Sequence, residues 1–276
     1  MIVAGIDVGG KNIHIVIKKD GQILGKIVGQ SGIKKAEAVE LLYDEALKKA
    51  GLTRKDVERV IATGSSARRV AFASGFIPDV TADARGVIKQ IPSARTIIDV
   101  GAEEGRAIKI SSDGRVLDFA INEKCAAGTG TFIEAMSRAL EVSVDEMSRI
   151  TLTSTQTLST NAQCAVFGES EVVSLIHQKT PKPDIARAVM NAISGRVGSV
   201  ARIVGLEKDV VMVGGMAKNA GFIDSLKKTI EMDVLVPEDP DYAGALGAAE
   251  AALAGVMTEE VKAKVVEKET ITTGKA

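Results

Sequence analysis

The two cysteines of this 276-residue sequence, Cys125 and Cys164, stand in short runs rich in glycine and other small residues. A helical pattern follows each run, so each thiolate would lie at the positive end of a helix dipole. Two thiolates are too few for an iron–sulfur cluster or a tetrahedral zinc, which take four ligands. A homodimer with its cysteines meeting on the two-fold axis would supply four. Free buried thiols are the alternative, because cysteine is among the most buried residue types.

The two histidines, His14 and His177, share no metal-like spacing with the cysteines. We predict an ordinary hairpin side chain for His14 and a helix-end residue for His177.

Two aspartates, Asp7 and Asp99, each end a short apolar run and precede Val-Gly. Segment 96–101 repeats segment 4–9 at an offset of 92 residues, and the Asp-Gly turn that follows recurs at an offset of 93. A strand–turn–strand–turn–strand unit that occurs twice, with a difference of one residue, predicts two similar lobes. Backbone N–H groups of the glycine turns could approach an anion, and each carboxylate could hold a hydrated Mg²⁺. A single Asp-Val-Gly is a common turn, so the duplication is what favours a nucleotide cleft.

Apolar periodicity and turn residues predict alternating strands and helices. We expect strands over 2–7, 13–17, 22–28, 57–63, 96–101, 108–110, 209–213 and 234–236, and a further strand after the Asp113-Gly114 turn of segment 112–117. We expect helices over 36–50, 126–140, 143–150, 168–177, 184–204 and 243–253, with another starting at 217–220. Gly214 and Gly215 follow a predicted strand, and such a turn would let a base or a ribose lie against the backbone.

Composition excludes several classes of function. The net charge of −1 and the 3 % aromatic content argue against nucleic-acid binding, which needs a basic face or stacking platforms. No apolar run approaches the roughly 20 residues that cross a bilayer, and the N-terminus does not resemble a signal peptide. We therefore expect a cytoplasmic protein that binds neither nucleic acid nor membrane.

Three segments carry a family resemblance: 122–130, 164–172 and 210–219. With them, residues 1 to about 255 resemble the ATP-dependent activators (component A, archerase) of 2-hydroxyacyl-CoA dehydratases, in the BadF/BadG/BcrA/BcrD ATPase family. The resemblance implies a duplicated α/β fold of the actin/Hsp70/sugar-kinase (ribonuclease H-like) type with nucleotide in the interlobe cleft. We expect a first lobe over 1–95, a second over 96–255 whose last helix could pack back on the first, and a polar tail over 256–276.

The resemblance also implies cofactors and partners. One [4Fe-4S] cluster would be held at a homodimer interface by Cys125 and Cys164 of both chains, and each subunit would bind ATP or ADP with Mg²⁺. Ferredoxin or flavodoxin would supply electrons, and a dehydratase or CoA-ester reductase would accept one low-potential electron. Hydrolysis would change the angle between the two helices that abut the cluster.

Nucleotide-site roles are carried over from the family's motifs. Asp7 would hold the water shell of Mg²⁺, Asp99 would lie on the opposite hairpin, and Glu104 would orient the attacking water, with Glu103 as its rival. The other residues expected to bind nucleotide or cluster are Gly9, Gly10, Lys11, Asn12, Gly101, Ala102, Gly128, Gly130, Gly214, Gly215, Lys218 and Asn219.

Both hairpins depart from the family's pattern. The first has Gly10-Lys11-Asn12 where the family has Ser or Thr, and His14 stands where a lysine is expected. The second reads Ala-Glu-Glu104 after its glycine where the family has Gly-Gln-Asp. Lys11 could supply the displaced positive charge. Three alternatives to the activator remain: a small-molecule kinase of the same fold, an ATP-driven donor to another iron–sulfur acceptor such as a double-cubane cluster protein, and a nucleotide-dependent scaffold.

Overall fold

The computed structural model describes residues 1–122, 129–156, 158 and 165–256. Within these ranges the chain forms two five-stranded mixed sheets. The first sheet consists of β1 Ile2–Val8, β2 Asn12–Lys19, β3 Gln22–Gln30, β4 Arg59–Thr63 and β5 Gly75–Phe76. The second consists of β6 Thr96–Val100, β7 Gly105–Ile110, β8 Val116–Asn122, β9 Val210–Val213 and β10 Val234–Leu235. The helices are α1 Lys35–Lys49, α2 Asp79–Gln90, α3 Gly130–Ala139, α4 Val144–Thr151, α5 Ala165–His177, α6 Lys182–Ile203, α7 Ala220–Ile230 and α8 Ala243–Leu253.

The two sheets repeat one topology. Their strand orders are β3-β2-β1-β4-β5 and β8-β7-β6-β9-β10, with three antiparallel strands followed by two parallel ones. The register repeats as well, because Asp7 lies opposite His14 and Asp99 lies opposite Arg106, an offset of 92 residues in both members. The duplicated three-strand unit predicted from the sequence is confirmed.

Most predicted helices are present with shifted ends. Helix α6 begins earlier than predicted, at Lys182, since Pro181 and Pro183 sit in its first turn, where no intrahelical N–H is needed. Helix α2 was not predicted. Polar residues at 81, 83 and 85 interrupt its apolar pattern, and no residue that typically caps a helix precedes it. The predicted tail lies outside the described residues from 257 onward.

Helices α2 and α8 cross between the two sheets. Val80, Ala84 and Val87 of α2 share a core with strands β6, β7 and β9 of the second sheet. Alanines 248, 251 and 252 of α8 share a core with Val3 and Ile61 of the first. Each helix packs mainly on one sheet, and their contact joins the lobes, because Ala82 of α2 enters the core of the first sheet and Ala243 of α8 enters that of the second.

Glycines make this crossing close. A Cβ atom added at Gly247 of α8 would collide with the Ala82 carbonyl of α2, and one at Gly86 would collide with the Ala243 carbonyl. Gly5 of β1 is equally close to the backbone of α8 at Ala245. Backbones packed at such distances leave no room for a side chain, so the spacing of the lobes at the base of the cleft depends on these glycines.

The remaining helices cover the outer faces. Helix α1 packs on the first sheet through Val39, Tyr43 and Leu47. Helices α3, α4, α6 and α7 build the large core on the second sheet. Across the described residues, no helix combines the length and the hydropathy needed to span a bilayer.

Candidate active site: a cleft between two aspartate hairpins

A cleft of about 390 Å³ opens between the two sheets. The tips of both hairpins, the glycine turns after β4 and β9, and the starts of α2 and α8 contribute to its walls. The predicted site residues that line it are Asp7, Gly9, Gly10, Lys11, Asn12, Asp99, Gly101, Ala102, Glu103, Glu104, Gly130, Gly214, Gly215 and Lys218. The fold thus brings together residues more than 200 positions apart in the chain.

The two hairpin tips have the same backbone geometry. The Gly9 amide donates to the Asn12 carbonyl at 2.9 Å, and the Gly101 amide donates to the Glu104 carbonyl at 2.9 Å. Successive backbone amides in a tight turn can form a concave site that binds an anion. The repeat found in the sequence therefore extends to the hydrogen bonds of the turns.

A glycine with positive φ backs each hairpin aspartate. Gly64 has φ +95° and Gly214 has φ +81°, a region that side chains rarely adopt. A Cβ at Gly64 would collide with the Asp7 carboxylate, and a Cβ at Gly214 would collide with the Asp99 carboxylate. Each carboxylate therefore lies closely packed between its own strand and the following glycine turn.

Arg106, which the sequence analysis did not single out, is the central cation of the cleft. Its guanidinium lies 2.8 Å from Asp79 Oδ2, 3.4 Å from Asp99 Oδ2 and 3.0 Å from Glu104 Oε2, and the side chain is only 10 % exposed. Asp79 also accepts the Gly64 amide at 2.6 Å. Through Asp79, Arg106 connects the second sheet to the glycine turn of the first.

More carboxyl groups line the cleft than Arg106 contacts. Burial raises the pKa of Asp99, which Arg106 partly offsets and Asp79 reinforces. Burial, then the charge of Asp99, raises the pKa of Asp83 well above its usual range. Asp83 Oδ2 is buried without a hydrogen-bond partner in the described part of the chain. Such a surplus of carboxylate oxygen fits a cation.

A magnesium ion would be held here through water. Among the described residues, no three carboxylate, imidazole or thiol groups lie close enough to ligate one metal ion together. Mg²⁺ commonly keeps several of its waters and uses one or two carboxylates. Asp7 and Asp99, one on each hairpin, are the groups that could accept hydrogen bonds from those waters.

Asp7 titrates in an accessible range. Burial, then the neighbouring Asp79, raises its pKa from 3.8 to about 6, although its side chain keeps some surface open to the cleft. The folded protein then binds a proton more tightly than the unfolded chain, so Asp7 contributes stability below about pH 4 that is lost as the pH rises through about 6.

We therefore expect Asp7→Asn to raise the free energy of unfolding above about pH 7 by on the order of 1 kcal/mol, with the gain fading toward about pH 4. Urea denaturation at several pH values measures it. The same substitution should weaken the expected magnesium-dependent nucleotide binding above about pH 6, whereas at lower pH the protonated carboxyl of the wild type should bind as weakly as the amide. A stability gain that is constant with pH would contradict the assignment.

A second ionic contact lies at the other end of the cleft. His14 Nε2 lies 3.4 Å from Asp241 Oδ2, and Lys218 Nζ lies 2.7 Å from the same oxygen. Burial would raise the pKa of Asp241, but His14 and Lys218 outweigh it and lower that pKa well below its usual range. The ring of His14, on β2, also packs against the Tyr242 ring in a T-shaped arrangement, with 5.0 Å between the two ring centroids. The hairpin position predicted for His14 is confirmed, and the structure adds that it lines the cleft and joins the first sheet to the turn before α8.

The hairpin tips also reach toward opposite lobes. Lys11 Nζ forms an ion pair with Glu134 Oε1 of α3. The Glu103 carboxylate lies against Gly10, so that a side chain at Gly10 would collide with it. Glu104 instead turns toward Arg106. The two rival glutamates are therefore in different electrostatic surroundings.

Four predicted residues have other positions or fall outside the described ranges. Asn219 is buried at the start of α7, where its Oδ1 accepts the Phe222 amide at 2.9 Å and caps the helix. Cys125, Cys164 and Gly128 lie outside the described residues.

Comparisons with known proteins place this architecture. The model of the BadF/BadG/BcrA/BcrD ATPase family matches residues 4–252. The activator of lactoyl-CoA dehydratase from Anaerotignum propionicum is 38% identical over 255 residues, which cover 90% of this chain and 96% of that protein. The solved structure of the activator of 2-hydroxyisocaproyl-CoA dehydratase from Clostridium difficile, with bound ADPNP, is 33% identical with a TM-score of 0.85 and covers 95% of this chain and 100% of that one.

A more distant structure shares the fold alone. A ROK family glucokinase from Streptomyces griseus is 14% identical with a TM-score of 0.59, covering 92% of this chain and 100% of that one. The predicted α/β fold of the actin/Hsp70/sugar-kinase type is thus confirmed. Because the family model covers most of the sequence and its relatives align over nearly their whole length, the chain belongs to the BadF/BadG/BcrA/BcrD ATPase family.

Proposed function

We propose that this protein is an ATP-hydrolysing activator that passes a low-potential electron to a 2-hydroxyacyl-CoA dehydratase or a related CoA-ester reductase. The observation that carries the proposal is the pair of equivalent hairpins whose aspartates face one cleft. Relatives that are activators of such dehydratases support the choice of acceptor. The cytoplasmic location and the ferredoxin or flavodoxin donor stay predictions.

In this proposal the cleft binds ATP between its hairpins. Backbone amides of the Gly9–Asn12 and Gly101–Glu104 turns bond the phosphates, and Asp7 and Asp99 accept hydrogen bonds from the waters around the cation. Gly214, Gly215 and Lys218 line the adenosine end, where a Cβ added at Gly215 would meet no atom of the described residues within 4 Å. A structure of a relative with bound ADPNP supports this use of the cleft.

The contacts favour Glu103 over Glu104 as the residue that orients the attacking water. Glu104 Oε2 already lies 3.0 Å from the Arg106 guanidinium, so this carboxylate is engaged by a cation. The Glu103 carboxylate lies instead beside Gly10 of the opposite hairpin and lines the cleft in which the proposal places the terminal phosphate. Glu103→Gln should therefore slow ATP hydrolysis more than Glu104→Gln does.

The proposal assigns the cluster to Cys125 and Cys164 of two subunits. Four thiolates would hold a [4Fe-4S] centre, which supplies the low-potential electron. Helix α3 begins two residues after the segment that contains Cys125, and its first amides donate to the second hairpin: Gly130 to the Gly101 carbonyl at 2.9 Å and Thr131 to the Ala102 carbonyl at 3.0 Å. A change at the nucleotide would thus reach the segment before α3 through two hydrogen bonds.

Anaerobic purification tests the assignment. The wild-type protein should be brown, dimeric and carry about four irons per dimer. Cys125→Ser should lose the iron and still bind ATP, because the proposal assigns the cysteine to the cluster and the nucleotide to the two hairpins. Asp7→Ala should show the reverse pattern, with iron retained and Mg-ATP binding weakened.

Two results would contradict this function. A full complement of iron in Cys125→Ser would show that the ligands are wrong. Colourless wild-type protein that transfers phosphate to a sugar or a vitamin would instead identify a kinase of the same fold.

A further inference from the structure

The ion pair between Lys11 and Glu134 joins the two lobes at the mouth of the cleft. Lys11 follows Gly10 on the first hairpin, whereas Glu134 lies on α3, a helix packed on the second sheet through Phe132, Ile133 and Met136. Both side chains line the cleft. The pair is a direct bond between the phosphate-binding turn of one lobe and the helix that follows the Cys125 segment of the other.

Exposure makes this pair weak enough to exchange. Lys11 is 47 % exposed and Glu134 is 34 % exposed, so water screens their attraction and little free energy is needed to separate them. A terminal phosphate offers more negative charge than a carboxylate and several acceptor oxygens to an ammonium group. Lys11 would therefore turn from Glu134 to a phosphate group placed beside the first hairpin.

From this geometry we infer that Glu134 is a specificity-determining residue, which competes with the terminal phosphate of a nucleoside triphosphate for Lys11. The inference rests on the proposed binding of ATP in the cleft. With ADP, whose phosphates end one group earlier, Lys11 stays on Glu134 and ties α3 to the first lobe. With ATP, Lys11 binds the terminal phosphate, and α3 keeps only its hydrogen bonds to the second hairpin.

Titration of full-length wild-type and variant proteins with Mg-ADPNP and with Mg-ADP tests the inference. Glu134→Gln should raise the affinity for ADPNP about two- to fivefold, the range expected for removing an exposed ion-pair partner, and leave the affinity for ADP unchanged. Lys11→Met should weaken ADPNP binding. In the double variant, Glu134→Gln should add nothing, because the glutamate acts only through Lys11.

Asp145→Asn is the matched control. It removes one exposed negative charge from α4, whose Val144 lines the same cleft, and it touches neither Lys11 nor Glu134. It should leave the preference for ADPNP over ADP unchanged. An equal gain of affinity from Glu134→Gln in the Lys11→Met background, or from Asp145→Asn, would overturn the exchange in favour of a general charge effect.

Hydrogen exchange of the α3 amides gives a second readout. In the wild type they should exchange faster with ADPNP than with ADP, and in Glu134→Gln they should exchange at the faster rate with both. Equal rates in the two wild-type complexes would overturn the inference. Wild-type protein that binds neither nucleotide would overturn the proposed function with it, whereas tight binding with an unaltered preference in Glu134→Gln would overturn this inference alone.

Discussion

Arg106→Met should lower the free energy of unfolding by about 3–5 kcal/mol, the cost of breaking a buried ionic network by removing one partner. The guanidinium is nearly buried and contacts Asp79, Asp99 and Glu104. The charges of these groups raise the pKa of Arg106 even though burial lowers it, so the arginine is charged throughout the accessible range. Its loss would leave several carboxylates facing one another without a counter-charge.

Urea denaturation at about pH 7.5 measures the effect, and its pH dependence identifies the cause. Without Arg106 the carboxylates bind protons more readily in the folded state, so the deficit should shrink as the pH falls toward about 5. Arg115→Met is a matched control, since Arg115 is 76 % exposed and its one ion pair within the described part of the chain is with Asp113 of its own turn. That variant should change stability by less than about 0.5 kcal/mol. A deficit that is equal at both pH values would point to lost packing instead of lost charge.

Gly247→Val should destabilise the protein by about 3 kcal/mol, the upper part of the range for overpacking. A side chain there would collide with the Ala82 carbonyl of α2. Because α2 packs mainly on the second sheet and α8 mainly on the first, the helices can move apart only together with their sheets. The distance between the lobes would therefore increase, and the two hairpins at the cleft would separate. Nucleotide affinity should fall together with stability.

Gly195→Ala provides the opposite outcome on another helix. Gly195 lies within α6, and a Cβ added there meets no atom within 4 Å among the described residues. The substitution should stabilise the protein by up to about 1 kcal/mol, through helix propensity alone. Thermal and urea denaturation of both variants tests the pair. Gly247→Val protein with wild-type stability would show that the α2–α8 contact does not set the spacing of the lobes.

Much of the fold could be predicted from one repeat. The offset between Asp7 and Asp99 predicted two similar lobes, and the first two strands of each lobe and the turn between them follow that offset. Such a duplication is visible because it constrains strand pattern, turn glycine and carboxylate together. Helix α2 had no equivalent signal, since its buried face includes Asp83, whose charge hides the helical period.

The cleft's ionic groups were harder to find for a physical reason. Arg106 and His14 occupy equivalent positions opposite the two hairpin aspartates, so carrying the repeat two residues past each tip would have paired them. Asp79 and Glu134 gave no such signal, because each approaches the cleft from a helix distant in sequence. The contact between Glu104 and Arg106 could not be predicted either, because it depends on side-chain geometry that the spacing of residues in the sequence does not determine.

In the proposed function, the nucleotide in the cleft controls an iron–sulfur centre held by Cys125 and Cys164. This control can be measured as the rate at which a ferrous chelator removes iron from reduced, anaerobically purified protein, with Mg-ADPNP and with Mg-ADP. We expect about four irons per dimer. We also expect clearly different rates with the two nucleotides in the wild type, and no difference in Asp7→Ala. Equal rates with both nucleotides in the wild type, or protein that carries no iron, would contradict it.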